Sequence, residues 1–256
     1  MTWFARPLAA GKAARNNGRM SVPRFFAPEL SGQTVALAGT ESRHAAGSRR
    51  LRTGDAVELF DGRGAVARGR ITATRRDRVA VELLERRQEP PPAGVRLTVA
   101  AAPAKGPRQD LLIEKLTELG AAAYWPTVFE RSVVRPRSGA VEGWRRRAIE
   151  AAKQCRRNWL PEFASPCHLA DVVGRRGEFD QAWLCHPDGP AAGPRCTGGS
   201  VLAVIGPEGG LAPAEIDTAT AAGFEPLRLA THVLRVETAA VAVAAIIAAH
   251  NVSESR

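Results

Sequence analysis

The sequence predicts an α/β protein in which a small β-rich barrel precedes a larger domain built on a mostly parallel sheet. Residues 21–90 contain short alternating strands broken by turns, and they show no long helical period. Residues 95–250 instead alternate between apolar strands and amphipathic helices. Segment 89–94, with three consecutive prolines, separates the two patterns and favours an extended spacer. At 256 residues the chain is long enough for one or two domains with real cores.

Turn residues divide the N-terminal part into strands. Alternating apolar residues predict strands at 57–60, 66–74 and 78–84. Segment 61–64 contains two glycines and supplies hairpin chemistry between the first two strands. These elements predict a basic barrel of about 70 residues.

In the C-terminal part, predicted strands alternate with predicted helices. Strands are predicted at 95–99, 121–129, 181–186, 201–205 and 227–229. Helices are predicted at 107–119, 141–159, 213–222 and 237–250. The stripe of the first helix is predicted to consist of Leu111, Leu112, Lys115 and Leu119. The stripe of the second helix is predicted to consist of Val141, Trp144, Ile149, Ala152, Cys155 and Trp159.

Positive charge is the clearest compositional feature. The net charge is +10, the pI is near 10.6, and residues 1–94 account for +8 of that charge. Nearly all the basic residues are Arg, which suits forked phosphate contacts and stacking on bases. A bias of the genome composition towards Arg and Ala is the alternative explanation for the excess of Arg. We predict a polyanion such as RNA as the partner, ahead of a membrane surface.

Three sequence features argue against a secreted protein, a membrane-spanning protein and a zinc protein. Residues 1–20 are basic and lack the apolar stretch of a secretory signal. We interpret them as a disordered basic extension or an upstream start before Met20, with a targeting arm as the alternative. The longest apolar run, 239–249, is shorter than the roughly 20 residues of a membrane span. The four cysteines lack zinc spacing, so we expect reduced, separately buried thiols, no metal site and a cytoplasmic location.

The most specific motif is the glycine-rich segment 204–211. A predicted buried strand runs into Gly206-Pro207-Glu208-Gly209-Gly210, just before a helix. Glycine lets a ligand approach the backbone, and ligands of open α/β sheets bind beyond the carboxyl ends of strands. A tight turn without a ligand is an equally good interpretation. The segment lacks the lysine of a phosphate-binding loop.

A second motif follows the last predicted strand. Segment 229–239 places Arg235 and Glu237 in a loop before an apolar helix, where a carboxylate suits the first turn. Taken alone, it favours a helix start with a surface Arg–Glu pair. Charged segments at 115–120, 130–132 and 150–157 are usually solvated helix faces.

Together and in this order, these segments resemble the RsmE family of ribosomal RNA small-subunit methyltransferases, within the SPOUT superfamily. The matching N-terminal residues are Pro23-Arg24-Phe25-Phe26, His44, Arg50-Leu51, Gly54-Asp55 and Phe60-Asp61-Gly62. The matching C-terminal residues are Lys105, 115–120, Arg131-Ser132, Gln154, Arg157, His186-Pro187, 206–210, 233–235 and 237–239. The resemblance covers about residues 21–250. The glycine segment and the downstream Leu-Arg-x-Glu-Thr-Ala pattern are highly specific only in combination.

The resemblance implies a PUA-like RNA-binding barrel at 21–90 and a SPOUT domain with a deep trefoil knot at 95–250. It implies a homodimer that binds S-adenosylmethionine (SAM) in the knot and methylates N3 of one uridine in 16S rRNA of the small ribosomal subunit. The implied cofactor residues are Leu184, His186, Ile205, Gly206, Pro207, Glu208, Gly209, Gly210, Leu229, Val233, Leu234 and Arg235, with Cys185 beside them. The implied RNA-binding residues are Arg24, Arg50, Lys105, Lys115, Arg131, Gln154 and Arg157.

Methylation of uracil N3 requires loss of the N3 proton or stabilisation of the resulting anion. Arg235 is predicted to stabilise that anion, and Glu237 or His186 to accept the proton. Glu237 is an equally good candidate for orienting Arg235 or capping the helix, and His186 for a pocket wall. Ala230 and Lys153 depart from the family pattern, where Gly and an acidic residue are usual, and Ala230 adds a methyl group beside the cofactor loop.

Two other functions fit the same sequence. One is a non-catalytic RNA-binding or ribosome-assembly factor, which the basic barrel supports equally well. The other is a SPOUT enzyme that acts on a different RNA, such as tRNA. SAM binding separates the first alternative from the enzyme, and mapping of the methylated nucleotide separates the second.

Overall fold

The structure is a computed structural model that describes residues 22–48, 50–75, 77–190, 196 and 199–254. The predicted basic extension at 1–20 lies outside the described residues.

The N-terminal part is a five-stranded sheet that curls into a half-barrel. Its elements are β1 (Arg24–Phe26), β2 (Thr34–Ala38), the short helix α1 (Gly39–Arg43), β3 (Ala56–Phe60), β4 (Ala65–Arg75) and β5 (Arg78–Gln88). The strand order is β1-β3-β4-β5-β2, and all pairs are antiparallel except β1 with β3. Alternate residues of the strands, including Phe25, Leu59 and Val81, fill the inside.

The three strands predicted in this part are confirmed as β3, β4 and β5, and 61–64 is the turn between β3 and β4. The first two strands and α1, which continues into a π-helical turn at His44–Ser48, were not predicted. Strands of three and five residues are too short to show a reliable period.

The C-terminal part is a parallel sheet with helices on both faces. Its elements are β6 (Arg96–Ala101), α2 (Pro107–Glu118), β7 (Ala123–Val128), α3 (Ala140–Cys155), β8 (Glu162–Phe163), β9 (Cys167–His168), α4 (Leu169–Gly174), β10 (Gln181–Cys185), β11 (Ser200–Ile205), α5 (Pro213–Ala221), β12 (Glu225–Leu227) and α6 (Val236–Glu254). The strand order is β12-β10-β11-β6-β7-β8, and β9 pairs with the end of β7. Near-continuous apolar strands such as Val201–Ile205 are buried on both faces, as a covered parallel sheet requires.

Two apolar layers lie on opposite faces of this sheet. One joins the sheet to α2, α3 and α6 and contains Leu112, Trp144 and Val243. The other joins it to α4 and α5 and contains Val172 and Ala219.

The predicted stripes of α2 and α3 were partly wrong. In α2, Leu111 is 44% exposed, and the buried side chains are Leu112, Ile113 and Leu116 with Gln109 and Thr117. In α3, Cys155 is exposed at the last turn. The helix ends there because Arg156 takes a left-handed conformation, with φ 61°, so Trp159 lies beyond it. Cys155 is thus exposed, and the other three cysteines are of intermediate exposure, so the prediction of separately buried thiols was wrong.

The final helix is longer and more apolar than the sequence run suggested. Residues Val236–Ser253 have a mean hydropathy of 1.5, which by length and composition alone is enough to cross a membrane, and 39% of the window is buried. Ala240, Val243 and Ile247 are buried in the core beside β6, β11 and α2. Burial of this face is typical of the core helix of a folded domain.

The segment that follows β10 lies close against the backbone at the end of β12. A Cβ on Gly189 would lie 2.8 Å from backbone atoms of Leu227 and 2.9 Å from the nitrogen of Arg228. The His186 N–H donates to the Leu227 carbonyl at 3.0 Å, and the Arg228 N–H donates to the Pro190 carbonyl at 3.4 Å. A side chain at position 189 would clash with this backbone, so the close approach requires glycine.

The half-barrel docks on the C-terminal end of α3. The turn between β3 and β4 joins segment 158–160 through backbone hydrogen bonds from Leu160 to Gly62 (2.9 Å) and from Gly64 to Asn158 (3.0 Å). Phe60, Val66 and Ala152 form a small apolar cluster across the same contact. The two parts are therefore in direct contact through both backbone and side chains.

Candidate active site

A cavity of about 230 Å³ lies at the carboxyl ends of β10, β11 and β12. Its walls come from the three loops that follow these strands, at 186–188, 206–211 and 228–234, and from the start of α6. Ligands of open α/β sheets bind beyond the carboxyl ends of strands, where neighbouring loops separate. The topology thus brings together segments far apart in sequence.

The glycine-rich loop forms one wall. The Gly210 N–H donates to the Pro207 carbonyl at 2.8 Å, and Gly210 has φ +74°, a left-handed conformation that favours glycine. A Cβ on Gly206 would lie 2.8 Å from the Leu211 side chain, so the lack of a side chain lets Leu211 pack against the loop. The sequence makes this turn compact and leaves its backbone accessible from the cavity.

The other walls are mostly apolar. Ile205, Leu211 and Leu227 are buried beside the cavity, and Val233 on the last loop is 80% exposed. Burial raises the pKa of the Cys185 thiol to about 12, so this cavity-lining group stays a neutral thiol at physiological pH. The arrangement suits a ligand with a flat apolar part and polar groups that backbone atoms can bind.

Most residues assigned to the cofactor by resemblance do line this cavity. They are His186, Ile205, Gly206, Pro207, Glu208, Gly210, Leu229, Val233 and Leu234. Leu184 is instead fully buried in the core, and neither Gly209 nor Arg235 contributes to the lining. Ala230, the departure from the family pattern, lies in the lining as well.

Arg235 and Glu237 occupy different environments at the start of α6. The Arg235 carbonyl accepts the Ala239 N–H at 2.8 Å, while its side chain is exposed and makes no hydrogen bond or ion pair among the described residues. Glu237 is 5% exposed, and its Oε2 has no hydrogen-bond partner within the part of the chain that the structure describes. The alternative of a surface Arg–Glu pair is therefore wrong, because the carboxylate is buried.

Three basic residues lie in loops or helix starts at the same edge of the sheet. Lys105 is exposed between β6 and α2, and Arg131 follows β7. Arg108, in the first turn of α2, has its Nη1 3.6 Å from Oε1 of Glu208 at the cavity. The sequence analysis did not identify Arg108 as a site residue. Its position just after the loop from β6 to α2 places it at the carboxyl edge of the sheet, where ligands bind, and could have indicated this.

Arg24 is not available to RNA as predicted. It is 6% exposed, its Nε lies 3.3 Å from Oε1 of Glu58, and its Nη1 donates to the Ala152 carbonyl. It also donates to the Asn158 side chain, and its guanidinium stacks on the Phe60 ring at 4.2 Å. Burial lowers the pKa of Arg24 in spite of the nearby Glu58 carboxylate. Arg24 therefore connects the half-barrel to α3.

Arg157, which the resemblance assigns to RNA, has its hydrogen-bond partners within the protein. Its guanidinium donates to the carbonyls of Thr117 (2.9 Å), Gly120 (3.2 Å) and Ala121 (2.8 Å). These groups end α2, where the last carbonyls of a helix lack partners within the helix. Burial lowers the pKa of Arg157 to about 10. The guanidinium of Arg157 therefore caps the C-terminal end of α2.

The remaining candidates for RNA contact lie at the surface. Arg50 and Gln154 are exposed, and Arg50 has a positive φ of 51°. Lys115 is one-third exposed and lies between the carboxylates of Glu114 (2.9 Å) and Glu118 (2.8 Å), which raise its pKa. Two acidic neighbours reduce the attraction of Lys115 for a phosphate.

Replacement of Arg157 by alanine is expected to lower the free energy of unfolding by about 3 kcal/mol, since three carbonyls lose a charged donor. Urea unfolding followed by circular dichroism measures the change. Arg145→Ala, on the exposed face of α3, is the matched control and should change stability by less than about 0.5 kcal/mol. A loss of RNA binding with unchanged stability would contradict the capping role.

Among the described residues, no group of three or more His, Cys, Asp or Glu side chains could hold a metal ion.

Comparison with known proteins assigns the fold and the cavity to a family. Residues 91–248 match the RNA methyltransferase domain, and residues 37–84 match the RNA methyltransferase PUA domain. The chain is 33% identical over 228 residues to the ribosomal RNA small subunit methyltransferase E of Synechocystis, covering 86% of this chain and 75% of that protein. It is 34% identical to the protein of the same name from Mycobacterium bovis, covering 82% and 84%. This chain belongs to the RsmE family.

Solved structures of similar proteins agree with this assignment. A methyltransferase from Legionella pneumophila, in complex with the bound cofactor SAM, has a TM-score of 0.80 and 28% identity, covering 90% of this chain and 98% of that one. The RsmE protein of Neisseria gonorrhoeae, bound to S-adenosyl methionine, has a TM-score of 0.79 and 28% identity, covering 88% and 96%. The PUA-like and SPOUT-type architecture of the RsmE family is thus confirmed for this chain.

Lys153, which stands where the RsmE pattern usually has an acidic residue, forms ion pairs in the structure. Lys153 on α3 is 7% exposed, and its Nζ lies 2.8 Å from Oε1 of Glu41 in the half-barrel and 2.6 Å from Oε1 of Glu150. The other oxygen of Glu41 accepts the Phe26 N–H at 3.1 Å. Lys153 therefore adds an ion pair to the contact between the two parts of the protein.

Proposed function

We propose that this protein transfers a methyl group from SAM to N3 of a uridine in 16S rRNA of the small ribosomal subunit. The observation that carries the proposal is the cavity at the carboxyl edge, whose lining includes most of the residues that the resemblance assigns to the cofactor. The SAM-bound relatives support the same cofactor.

The residues of the cavity fit SAM. Ile205, Leu211 and Leu234 offer an apolar surface for the adenine ring, and the glycine loop offers backbone groups for the polar parts. The loop carries an acidic Glu208 and no lysine, which suits a cofactor without a phosphate and with a positively charged sulfonium. When bound, SAM supplies an electrophilic methyl group.

Arg235 is proposed to stabilise the uracil anion. The N3 position carries a proton, and its negative charge after deprotonation spreads to O2 and O4. The exposed guanidinium of Arg235, with no partner among the described residues, is free to donate to these carbonyl oxygens. A donor placed before the reaction lowers the cost of forming the anion and aligns N3 with the methyl group.

His186 and Glu237 are proposed to take different roles. Nδ1 of His186 accepts the Asp188 N–H at 3.2 Å, which assigns the proton of the neutral imidazole to Nε2. Nε2 therefore suits donation to a uracil oxygen better than removal of the N3 proton, and we propose that this proton passes to solvent water. Glu237 is buried outside the cavity lining and is proposed to fix the start of α6, which positions Arg235.

RNA is proposed to bind across the carboxyl edge and the basic half-barrel. Lys105, Arg50 and Gln154 are exposed and remain candidates for contacts with phosphates, which fix the position of an RNA without reading its sequence. We propose domain bounds of 21–90 for the RNA-binding barrel and 95–250 for the methyltransferase domain. The excess of basic residues in the first 94 residues supports the assignment of RNA binding to the barrel.

The protein is further proposed to be a cytoplasmic homodimer. The outer face of α6 is apolar and only partly buried, with Val241, Ala245 and Ile246 of intermediate exposure. A second copy of the chain packed on this face would remove that surface from water. Sedimentation equilibrium tests the oligomeric state directly.

The test of function is a methyl-transfer assay. Purified protein, labelled SAM and small ribosomal subunits from a strain that lacks the modification are expected to give label on N3 of a single uridine. Nuclease digestion and mass spectrometry locate it. SAM binding by calorimetry without label would indicate a different RNA substrate. If neither methyl label nor SAM binding is found, the ribosome-assembly factor is favoured. Ala230→Gly is then the first substitution to test for recovery of SAM binding.

A further inference from the structure

The glycine-rich loop is held from outside the cavity by the loop that follows β7. Nη1 of Arg131 donates to the carbonyls of Gly209 (3.3 Å) and Leu211 (3.4 Å). These two residues flank Gly210, which lines the cavity. The backbone of the loop forms a single internal turn, from Gly210 to Pro207, so Arg131 supplies contacts that the loop cannot make for itself.

Glu215 also connects the two loops, but it accepts hydrogen bonds from backbone N–H groups where Arg131 donates to carbonyls. Its Oε2 accepts the Ala212 N–H at 2.8 Å, at the start of α5, and its Oε1 accepts the Glu130 N–H at 2.8 Å. One carboxylate thus joins the end of the glycine loop to the residue before Arg131. A charge-assisted hydrogen bond of this kind is about twice as strong as a neutral one.

The loop after β7 is itself well fixed. Phe129 is 2% exposed in the core, and its N–H donates to Oγ of Ser132 at 2.9 Å. The Ser132 N–H donates back to the Phe129 carbonyl at 3.1 Å. A Cβ on Gly209 would lie 3.2 Å from Cβ of Arg131, so the two loops are in close contact. The contact spans β6, which lies between β7 and β11 in the sheet.

We propose that Arg131 and Glu215 are positioning residues that fix the glycine-rich loop in its ligand-binding shape, so that they set the affinity for SAM without touching it. Their reciprocal contacts join two loops at four backbone groups: two carbonyls accept from Arg131, and two N–H groups donate to Glu215. A loop fixed in this way loses less conformational entropy when the ligand binds. The inference rests on the proposed function, since it takes SAM as the ligand.

The test measures SAM affinity and turnover in the full-length protein. Arg131→Ala and Glu215→Gln are each expected to raise the Kd for SAM by about tenfold. At saturating SAM, kcat is expected to stay within about threefold of the unsubstituted protein. Arg131→Lys, which keeps one charged donor, is expected to recover part of the affinity. Asp217→Asn, an exposed change of the same type on α5, is the matched control and should leave the Kd unchanged.

A double variant separates a shared role from two independent ones. If Arg131 and Glu215 act on the same loop, the increase in Kd for Arg131→Ala/Glu215→Gln will be less than the product of the two single effects. Unchanged Kd values in both single variants would overturn the inference, as would a fall in kcat with no change in Kd. If the unsubstituted protein fails to bind SAM, the proposed function fails instead. Thermal unfolding of each variant identifies any that are not folded.

Discussion

Replacement of Arg235 by alanine is expected to lower kcat for rRNA methylation by at least about 100-fold, the usual effect of removing one donor that stabilises a developing anion. The side chain is exposed and lies outside the cavity lining, so the Kd for SAM is expected to stay within about threefold. Stability should also change little, because the helix-capping contact of this residue comes from its backbone carbonyl.

Steady-state assays with labelled SAM and calorimetric titration measure both quantities. Arg235→Lys keeps the positive charge but loses the forked geometry, so it is expected to retain more activity than the alanine variant. Full activity of Arg235→Ala would remove Arg235 from the proposed chemistry. A large loss of SAM affinity would instead place it in the cofactor site.

Replacement of Arg24 by alanine is expected to cost about 3–5 kcal/mol of folding free energy, because Glu58 loses its buried partner and keeps only the half-exposed Arg156, whose Nη2 lies 3.3 Å from Oε1 of Glu58. The packing on Phe60 and the hydrogen bonds to Ala152 and Asn158 are lost as well. With a shift of about 2–4 °C per kcal/mol for a chain of this size, Tm is expected to fall by roughly 10 °C.

Differential scanning calorimetry and urea unfolding measure this effect. Arg52→Ala, an exposed arginine of the half-barrel, is the matched control and should lower Tm by less than about 2 °C. Glu58→Gln is expected to destabilise the protein too, and the double variant to lose less than the sum of the two. A Tm of Arg24→Ala equal to that of the control would contradict a role at the contact between the two parts.

Arg24 and Arg157 show why the sequence did not reveal the intramolecular contacts of these residues. Both match the family pattern and both are arginines in a basic chain, which is the usual signal for phosphate contact. Their actual partners lie far away in sequence, with Arg24 and Asn158 separated by 134 residues and Arg157 and Thr117 by 40. A forked donor serves a buried carbonyl as well as it serves a phosphate, and only the three-dimensional neighbours distinguish the two.

The position of the site was predicted better than the roles within it. The buried strand followed by glycine left a ligand site and a ligand-free turn equally open, and the family resemblance placed the cofactor beyond the carboxyl end of β11. Most of the residues that it implied do line the cavity there. Leu184 is buried in the core whereas Cys185, the next residue of β10, lines the cavity, because successive strand residues face opposite sides of the sheet. The buried state of Glu237 was not predictable either, since a carboxylate in a first helical turn is usually exposed.

The sequence by itself determined the two-part architecture, the parallel sheet, the glycine-rich loop and the family pattern. These properties depend on local periodicity, turn residues and motif spacing, which are present in the order of the amino acids. The tertiary structure alone decided which charged residues are buried, how the half-barrel docks on α3, and which loops brace the cavity. Such properties depend on contacts between distant segments, and a sequence pattern does not specify those contacts until the chain is folded.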